Sequence, residues 1–359
     1  MSEPASEPTG TGFDEAVDRL TPLDAGAGAE AAALQDRLAK PRGALGRLET
    51  VGIQLAGIAG ACPPPVPAPA TVAVFAGDHG VLVEGVTPWP QEVTAQMVAA
   101  FCAGGAAVNV LARHAGAEVV VVDVGVAADL APAPGLLQRK VRHGTANLLW
   151  GSAMSVDEAR QALDVGAGVA AEAVAAGARC LVTGDMGIGN TTASAALIAA
   201  LTGRPPADVT GRGTGIDDAT FIRKILVVEA AAYRARGRRP LDVLASVGGL
   251  EIAAIAGFIV AGAAARVPVV VDGVIALAGL LAAAALAPAC VDYCIAGHRS
   301  TEPGATAALD HLGLEPLLDL GMRLGEGTGA VLAVPLVQAA AKVLGEMATL
   351  DGAGVTSKE

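Results

Sequence analysis

Short runs of β-branched and apolar residues alternate with longer Ala-rich stretches from about residue 71 onward. The short runs show no alternation of polar and apolar positions, which is typical of strands buried on both faces of a parallel sheet. The Ala-rich stretches are long enough for helices and lie between the strands. The pattern therefore predicts a mostly parallel sheet covered by helices. Its predicted strands are Thr71–Ala76, Glu118–Val126, Arg179–Thr183, Leu241–Ser246, Val267–Val271 and, as a sixth, Asp292–Ala296.

The predicted helices fill the intervals between these strands. The segment Leu250–Cys294 is apolar enough to raise the question of a membrane span. Its apolar residues are mostly Ala and Gly, however, whereas Leu, Ile, Phe and Val drive insertion into a bilayer. We therefore expect buried helices here. The helices predicted after the first strand are Val93–Arg113, Val156–Ala176, Thr192–Leu201, Asp217–Arg236, Ile252–Ala265 and Val274–Leu286, followed near the end of the chain by Val331–Leu350.

The two ends of the chain differ in composition from the middle. Residues 1–30 are rich in Gly, Ala, Ser, Pro and acidic residues and predict a partly disordered tail. Leu and Ile recur at three- and four-residue spacings from Ala31 to Ala61, which predicts helix. The Pro-rich stretch Cys62–Ala70 is a stiff connector and the predicted domain boundary. The predicted domains are a small helical domain, 31–65 plus 331–359, and a large α/β domain, 66–330.

Charge and cysteine content restrict the partners and the compartment. The chain has 24 Lys and Arg against 36 Asp and Glu, a net charge of −12, so it lacks the basic face that nucleic acid requires. The first residues are acidic and lack the apolar core of a signal peptide. The five cysteines have neither disulfide nor zinc spacing, which suits reduced thiols. We expect a cytoplasmic protein with no structural metal, no membrane partner and no nucleic acid partner.

Gly-rich turns follow most of the predicted strands. Ligands bind at the carboxyl ends of the strands in open parallel sheets, so these turns predict a binding site at one edge of the sheet. Close approach of the backbone suits a phosphate or a carboxylate. The turns are Gly77–Gly80, Gly184–Asn190, Gly248-Gly249 and Asp272-Gly273.

The turn after the third strand combines several glycines with one carboxylate and opens a helix. Glycines let backbone N–H groups face a ligand, and a helix N-terminus favours an anion. The alternative is a tight turn capped by Asn190 or Thr191. The candidate binding residues here are Asp185, Gly187, Gly189, Asn190 and Thr191.

Two further motifs carry charge among glycines. Lys224 follows the loop Gly211–Gly215 and offers a point charge for a phosphate, although a solvated helix face is the alternative. Glu326 lies between glycines ahead of an almost uncharged helix, where a general base is the interpretation we favour over a helix cap. His79, at the end of the first strand, is expected to line the site wall.

Taken together, these motifs resemble the nicotinate-nucleotide–dimethylbenzimidazole phosphoribosyltransferase family. The resemblance runs in collinear order from about residue 34 to residue 350. The matching segments are Lys40–Glu49, Phe75–Val81, Glu84–Val86, Val93-Thr94, His143–Asn147, Ala153–Ser155, Gly184–Thr192, Gly211–Lys224, Ser246–Gly249, Val270–Gly273 and Met322–Ala330.

The resemblance implies a fold, a reaction and a set of roles. The fold is a doubly wound α/β domain with a small helical domain from both chain ends, in a homodimer. The reaction moves the phosphoribosyl group of β-nicotinate mononucleotide to 5,6-dimethylbenzimidazole with inversion at C1′, without metal or redox cofactor. Glu326 would accept the benzimidazole proton. The nucleotide and phosphate side would include Gly187, Gly213, Gly273, Ser300 and Lys224, and the base slot Trp89, Gln96 and Met97.

One departure and three alternatives accompany the resemblance. The family loop usually begins Gly-Glu, and Asp185 stands there in this chain, so its carboxylate is withdrawn by about 1.5 Å. Its contact with substrate is direct, water-bridged or absent. Another aromatic base or a phenol is an alternative acceptor. A dinucleotide-dependent oxidoreductase would need a G-x-G-x-x-G turn after the first strand, which ends Gly77–Gly80 instead. A non-catalytic nucleotide-binding protein is the third alternative.

Overall fold

A single parallel sheet organises the computed structural model, which describes residues 12–354 of the chain. Its strand order is β3-β2-β1-β4-β5-β6, and every neighbouring pair is parallel. The order reverses between β1 and β4, as in doubly wound sheets, so the predicted fold class is confirmed. The strands are β1 Ala70–Gly77, β2 Ala117–Gly125, β3 Leu136–Gln138, β4 Cys180–Met186, β5 Val269–Val271 and β6 Cys294–Ala296.

Helices connect the strands and cover both faces of the sheet. The helices are α1 Phe13–Arg19, α2 Ala25–Gln35, α3 Arg47–Ala59, α4 Glu92–Cys102, α5 Ala107–Ala115, α6 Val156–Ala175, α7 Asn190–Thr202, α8 Pro206–Val209, α9 Asp218–Ala235, α10 Pro240–Val247, α11 Leu250–Ala264, α12 Val274–Leu286, α13 Pro303–Leu312 and α14 Thr328–Glu346.

Strand β1 shows why the strand runs lack polar alternation. All of its residues are buried, and successive side chains point to opposite faces of the sheet. Ala73 and Phe75 belong to the core that contains α6, α11 and α12. Val72 and Val74 belong to the core that contains α5 and α14. Both faces therefore require apolar residues at every position.

The most apolar helices, α11 and α12, lie inside the first core, as expected. Helix α12 has 13 residues, short of the roughly 20 that span a bilayer. A Cβ on Gly166 of α6 would collide with the carbonyl oxygen of Ala254 in α11, so glycine permits the close packing of these helices. Two other stretches, Glu92–Ala115 and Thr328–Glu346, are apolar and long enough for a span by composition alone. The first is divided into α4 and α5, and the second packs on the sheet.

Several elements differ from the sequence predictions, and the helices α8 and α13 were not predicted. Leu241–Ser246, predicted as a strand, lies in α10, which Pro240 begins at a helix-start position. A short apolar run does not distinguish a buried helix from a strand. The predicted helix Val93–Arg113 is two helices, because Gly104 adopts φ +75° between them. The sequence did not indicate the edge strand β3.

The N-terminal segment differs from expectation where it is described. Residues 1–11 of the predicted disordered tail, 1–30, lie outside the described residues, whereas α1 and α2 are helical. Asp24 caps α2 by accepting the N–H of Ala27, and Asp164 accepts the N–H of Phe13, so side chains fix both helices. The side chains of Ala31, Ala56 and Leu344 form a small core between α2, α3 and α14. The division into two domains stays a prediction.

Candidate active site

A cleft of about 340 Å³ lies at the carboxyl ends of β4, β5 and β6, beside the point where the strand order reverses. The cleft is lined by residues of the loops after these strands, of the loop before α14, and of α4 with the segment that precedes it. Two of the four Gly-rich turns predicted to share one edge contribute residues to this cleft, Gly184–Asn190 and Asp272-Gly273, whereas Gly77–Gly80 and Gly248-Gly249 do not. The predicted site residues that line the cleft are Trp89, Met97, Asp185, Gly187, Asn190, Thr191, Gly213, Gly273, Ser300 and Glu326.

Four predicted residues do not line this cleft, and one of them, His79, is described below. Gly189 and Lys224 line a smaller adjoining cavity of about 50 Å³, which shares Gly187 and Thr191 with the cleft. Gln96 is exposed on α4 and lies outside both cavities. Successive helix residues are rotated by about 100°, so Gln96 points away from the side on which Met97 faces the cleft.

Glu326 is held in an uncommon backbone conformation. Gly325, Glu326 and Gly327 have φ values of +81°, +65° and +93°, all in the left-handed region. That region costs a residue with a side chain about 1–2 kcal/mol, and such strain is concentrated at functional sites. Glu326 does not cap α14, whose N-cap is Gly327. The cap interpretation of this carboxylate was therefore wrong, and its side chain lines the cleft instead.

The carboxylate of Glu326 is buried and incompletely paired. Within residues 12–354, its Oε2 atom has no hydrogen-bond partner. Burial raises the pKa of Glu326 to about 7, and the charge of Asp272 acts in the same direction, while the Val108 amide opposes it. A group with a pKa near neutrality is well suited to accept and release a proton.

A second carboxylate lies beside this loop. Asp185 accepts a hydrogen bond from Nδ2 of Asn190 at 3.1 Å and packs against Gly325. Burial raises the pKa of Asp185 well above its ordinary value, and the charges of Asp272, Glu251 and Glu326 add to this effect. Burial and these charges therefore favour the protonated, neutral form of Asp185.

The adjoining cavity has the features of an anion site. Lys224 is buried, and its Nζ donates to Oγ1 of Thr191 at 2.8 Å and to the Gly211 carbonyl at 3.0 Å. Burial lowers the pKa of Lys224 to about 8, against the opposing effect of Glu302. The N-terminus of α7 borders the same cavity and adds partial positive charge. Lys224 is thus not part of a solvated helix face, the alternative that its sequence context left open.

Glu302 and Arg323 are site residues that were not predicted from the sequence. Both line the cleft and hold the loop Gly211–Gly215. Glu302 accepts the N–H of Gly213 at 2.8 Å, and Arg323 donates to the Gly213 carbonyl. The only sequence signal for Glu302 was its position shortly after the last strand. Other lining residues not predicted individually are Val93, Met186, Ile188, Thr214, Val274, Ile275 and Leu324.

His79 lies behind the cleft and does not form its wall, contrary to the sequence prediction. Its Nε2 is 2.7 Å from Oε1 of Glu251, and both side chains are fully buried. Burial is the largest single influence and opposes the charged imidazole, but the charge and hydrogen bond of Glu251, together with the charge of Asp78, raise the pKa of His79. A Cβ on Gly187 would collide with the Gly77 carbonyl and touch His79, which shows how closely the loop packs on this buried pair.

Comparison with known proteins identifies the chain. A family model described as phosphoribosyltransferase matches residues 20–355. The chain belongs to this phosphoribosyltransferase family. It is 58% identical over 355 residues to the nicotinate-nucleotide–dimethylbenzimidazole phosphoribosyltransferase of Salinispora tropica, covering 94% of this chain and 98% of the relative. The enzyme of the same name from Chloroflexus aggregans is 56% identical over 347 residues, covering 96% and 98%.

A solved structure agrees with this membership. The crystal structure of CobT from Thermus thermophilus superposes with a TM-score of 0.90 at 51% identity, covering 93% of this chain and all of that one. The resemblance predicted from the sequence is therefore confirmed. Membership of this phosphoribosyltransferase family also overturns the oxidoreductase alternative, since β1 leads into Gly77–Gly80 and not into a dinucleotide-binding turn.

Proposed function

We propose that this phosphoribosyltransferase moves the 5-phosphoribosyl group from β-nicotinate mononucleotide to 5,6-dimethylbenzimidazole, giving α-ribazole 5′-phosphate and nicotinate. The observation that carries the proposal is the placement of Glu326. A buried carboxylate with a pKa near 7 lies in an apolar cleft that adjoins an anion cavity containing a lysine. The relatives named above carry this activity in their names.

The reaction needs few catalytic groups. The nicotinate ring is a pyridinium in the nucleotide, so cleavage of the C1′–N bond releases a neutral ring and develops positive charge on the ribose. One benzimidazole nitrogen attacks C1′ from the opposite face, which inverts the configuration. The other nitrogen loses its proton, and Glu326 is the base we assign to that proton.

The two cavities suit the two substrates. The small cavity around Lys224 accommodates the 5′-phosphate, where the lysine and the α7 N-terminus face the anion. The apolar side chains of the cleft accommodate the aromatic base. These apolar side chains include Trp89, Val93, Met97, Ile275 and Leu324. Holding both substrates in one orientation supplies much of the rate enhancement in such a reaction.

We further propose that the protein is a cytoplasmic homodimer. The family resemblance supports the dimer, and large apolar side chains exposed on the described surface, among them Trp150, Ile222, Leu226 and Tyr233, support an interface between copies. Light scattering without detergent should give about twice the 35.3 kDa chain mass. A monomer under these conditions would contradict the dimer, and a requirement for detergent would contradict the cytoplasmic location.

The test of the activity is incubation of the purified protein with nicotinate mononucleotide and a series of acceptors. We expect nicotinate release that depends on the acceptor and is fastest with 5,6-dimethylbenzimidazole, because the cleft lining is apolar. Benzimidazole, adenine and a phenol are the comparison acceptors. Binding of both substrates without nicotinate release would favour a non-catalytic protein, and faster release with a phenol would change the assigned acceptor.

A further inference from the structure

Asp272, which directly follows β5, is fully buried and connects the sheet to the loop that carries Glu326. Its Oδ2 accepts the N–H of Gly327 at 3.2 Å, and its Oδ1 accepts the N–H of Ala330 at 2.9 Å. Its own N–H donates to Oγ1 of Thr183 in β4 at 3.1 Å. The side chain is thus fixed from the sheet side and binds the first turn of α14.

The hydrogen bonds from Gly327 and Ala330 to Asp272 compensate for two unfavourable features at the start of α14. The first N–H groups of a helix have no partner within the helix, and the N-cap of α14 is Gly327, which has no side chain to supply one. The left-handed conformation of Glu326 is also unfavourable and persists only where surrounding contacts fix it. The carboxylate of Asp272 accepts the N–H of Gly327, so it supplies a partner for the helix start and fixes the residue next to Glu326.

We propose that Asp272 is a positioning residue for the general base: by binding Gly327 and Ala330 it holds Glu326 in the conformation that places its carboxylate in the cleft. The proposal rests on the function proposed above for Glu326. Asp272 is not among the residues that line the cleft, so we assign it no contact with substrate. Its effect on the reaction passes through the main chain of the loop and through its charge.

The charge of Asp272 provides a readout that a purely structural role would not change. Burial and this charge together raise the pKa of Glu326, so removing the charge should lower that pKa. The other ionisable groups facing the pair are Asp185 at the end of β4 and His298 after β6, whose Nε2 lies 3.3 Å from Oδ1 of Asp272. The charge of Asp272 also raises the pKa of Asp185, so an Asp272→Asn change should lower that pKa as well. A general base with a lower pKa becomes active at lower pH.

Asp272→Asn is the direct test. An amide accepts through only one of its two heavy atoms, so one of the two N–H contacts is lost and the loop relaxes. We expect kcat to fall about 10–100-fold with little change in the nucleotide KM, since small misplacements of reacting groups carry costs of that order. The acidic limb of the kcat–pH profile should move to lower pH than in the unmodified enzyme.

Asp123→Asn is the matched control. Asp123 is also a buried carboxylate that binds a backbone N–H group near the end of a strand. It accepts the N–H of Val126 at 2.9 Å and pairs with Lys140, but it lies on β2 away from the cleft. We expect a lower melting temperature with an unchanged acidic limb and an almost unchanged kcat. If Asp272→Asn behaved like this control in kcat and in pH profile, the proposal would be overturned.

Thr183→Val separates position from charge and covers the case in which Asp272→Asn does not fold. It removes the acceptor of the Asp272 N–H but retains the carboxylate. We expect a lower kcat and an acidic limb at the same pH as in the unmodified enzyme. An unchanged kcat in a folded Thr183→Val protein would overturn the positioning role. Failure of the unmodified enzyme to release nicotinate would instead overturn the proposed function.

Discussion

Glu326 combines strain, burial and an unpaired oxygen in one side chain. In the folded protein its pKa is about 7, raised from 4.5, so the folded state binds more protons than the unfolded state between these two values. Stability that depends on this group is therefore present at low pH and is lost as pH rises from about 4.5 towards 7. The ionised form of Glu326, which catalysis requires, is therefore also the form that destabilises the folded protein.

The first prediction follows from this loss of stability with rising pH. Glu326→Gln removes the ionisation while keeping the size of the side chain, so the variant should be more stable than the unmodified protein at neutral and alkaline pH. We expect its melting temperature to be higher by about 1–3 °C near pH 8, after allowing for partial solvation of the group. Near pH 4 the difference should vanish. Thermal denaturation of both proteins at the two pH values measures this, and a variant less stable at pH 8 would contradict it.

Lys224 carries the second prediction. Lys224→Ala removes the cation of the small cavity, so the nucleotide KM should rise about 10-fold or more while the base KM changes little. Lys342→Ala, on the exposed side of α14, is the control and should leave both values unchanged. Steady-state kinetics with each substrate varied in turn measures the two constants. Equal increases in both KM values for Lys224→Ala would refute the phosphate assignment.

The site was predictable from sequence at the level of motifs, and less so at the level of individual contacts. A carboxylate between two glycines indicated a residue exposed to a ligand, and this pattern correctly selected Glu326 as a lining residue. The contacts that fix it come from Asp272 and Thr183, which are distant in sequence. No local pattern indicates such partners, because they depend on the order of strands in the sheet. For the same reason, Glu302 and Arg323 were missed.

At the scale of elements, the packing of α6 on α11 depends on glycine at particular positions. Gly166 and Gly257 face the other helix so closely that a Cβ on either would collide with a backbone carbonyl. Gly168, in the same helix as Gly166, has open space around its Cβ position. Glycine is therefore required for steric reasons at Gly166 but not at Gly168.

The third prediction compares these two positions in α6. Gly166→Ala should destabilise the protein by about 1–3 kcal/mol or more, because the new methyl group separates two packed helices. Gly168→Ala should stabilise it by about 0.5–1 kcal/mol, since Ala is the better helix former and meets no neighbour. Denaturant unfolding gives both values. Similar effects at the two positions would contradict the packing described here.

Strand prediction from sequence succeeded where a strand is buried in the sheet. The strands β1, β2 and β4 were found within a few residues, because a buried strand leaves a continuous apolar run. Helix α10 was predicted as a strand, because its five consecutive buried residues, from Val243 to Val247, give the same apolar run as a strand. The edge strand β3 is not fully buried and leaves no apolar run, whereas the equally short strands β5 and β6 are fully buried and were predicted. Burial, and not length, decided which strands could be recognised.

For the whole molecule, the doubly wound order of the strands explains why one edge carries the chemistry. The loops after β4, β5 and β6 converge with the start of α14, although they are separated by more than a hundred residues in the chain. Parallel strands place all of their carboxyl ends at one edge, so collinear Gly-rich turns become neighbours in space. This convergence was predictable from the fold class alone. The assignment of two domains still awaits a test.

The central claim, that Glu326 is the general base, is tested most directly by the kcat of nicotinate release for the unmodified enzyme and for Glu326→Gln across acidic and alkaline pH. In the unmodified enzyme, kcat should rise with pH through about 7 as Glu326 loses its proton. In the variant, kcat should be lower by about 10²–10⁴-fold, the usual cost of losing a general base, and this limb should disappear. A Glu326→Gln enzyme with nearly the original kcat and the same acidic limb would contradict the account.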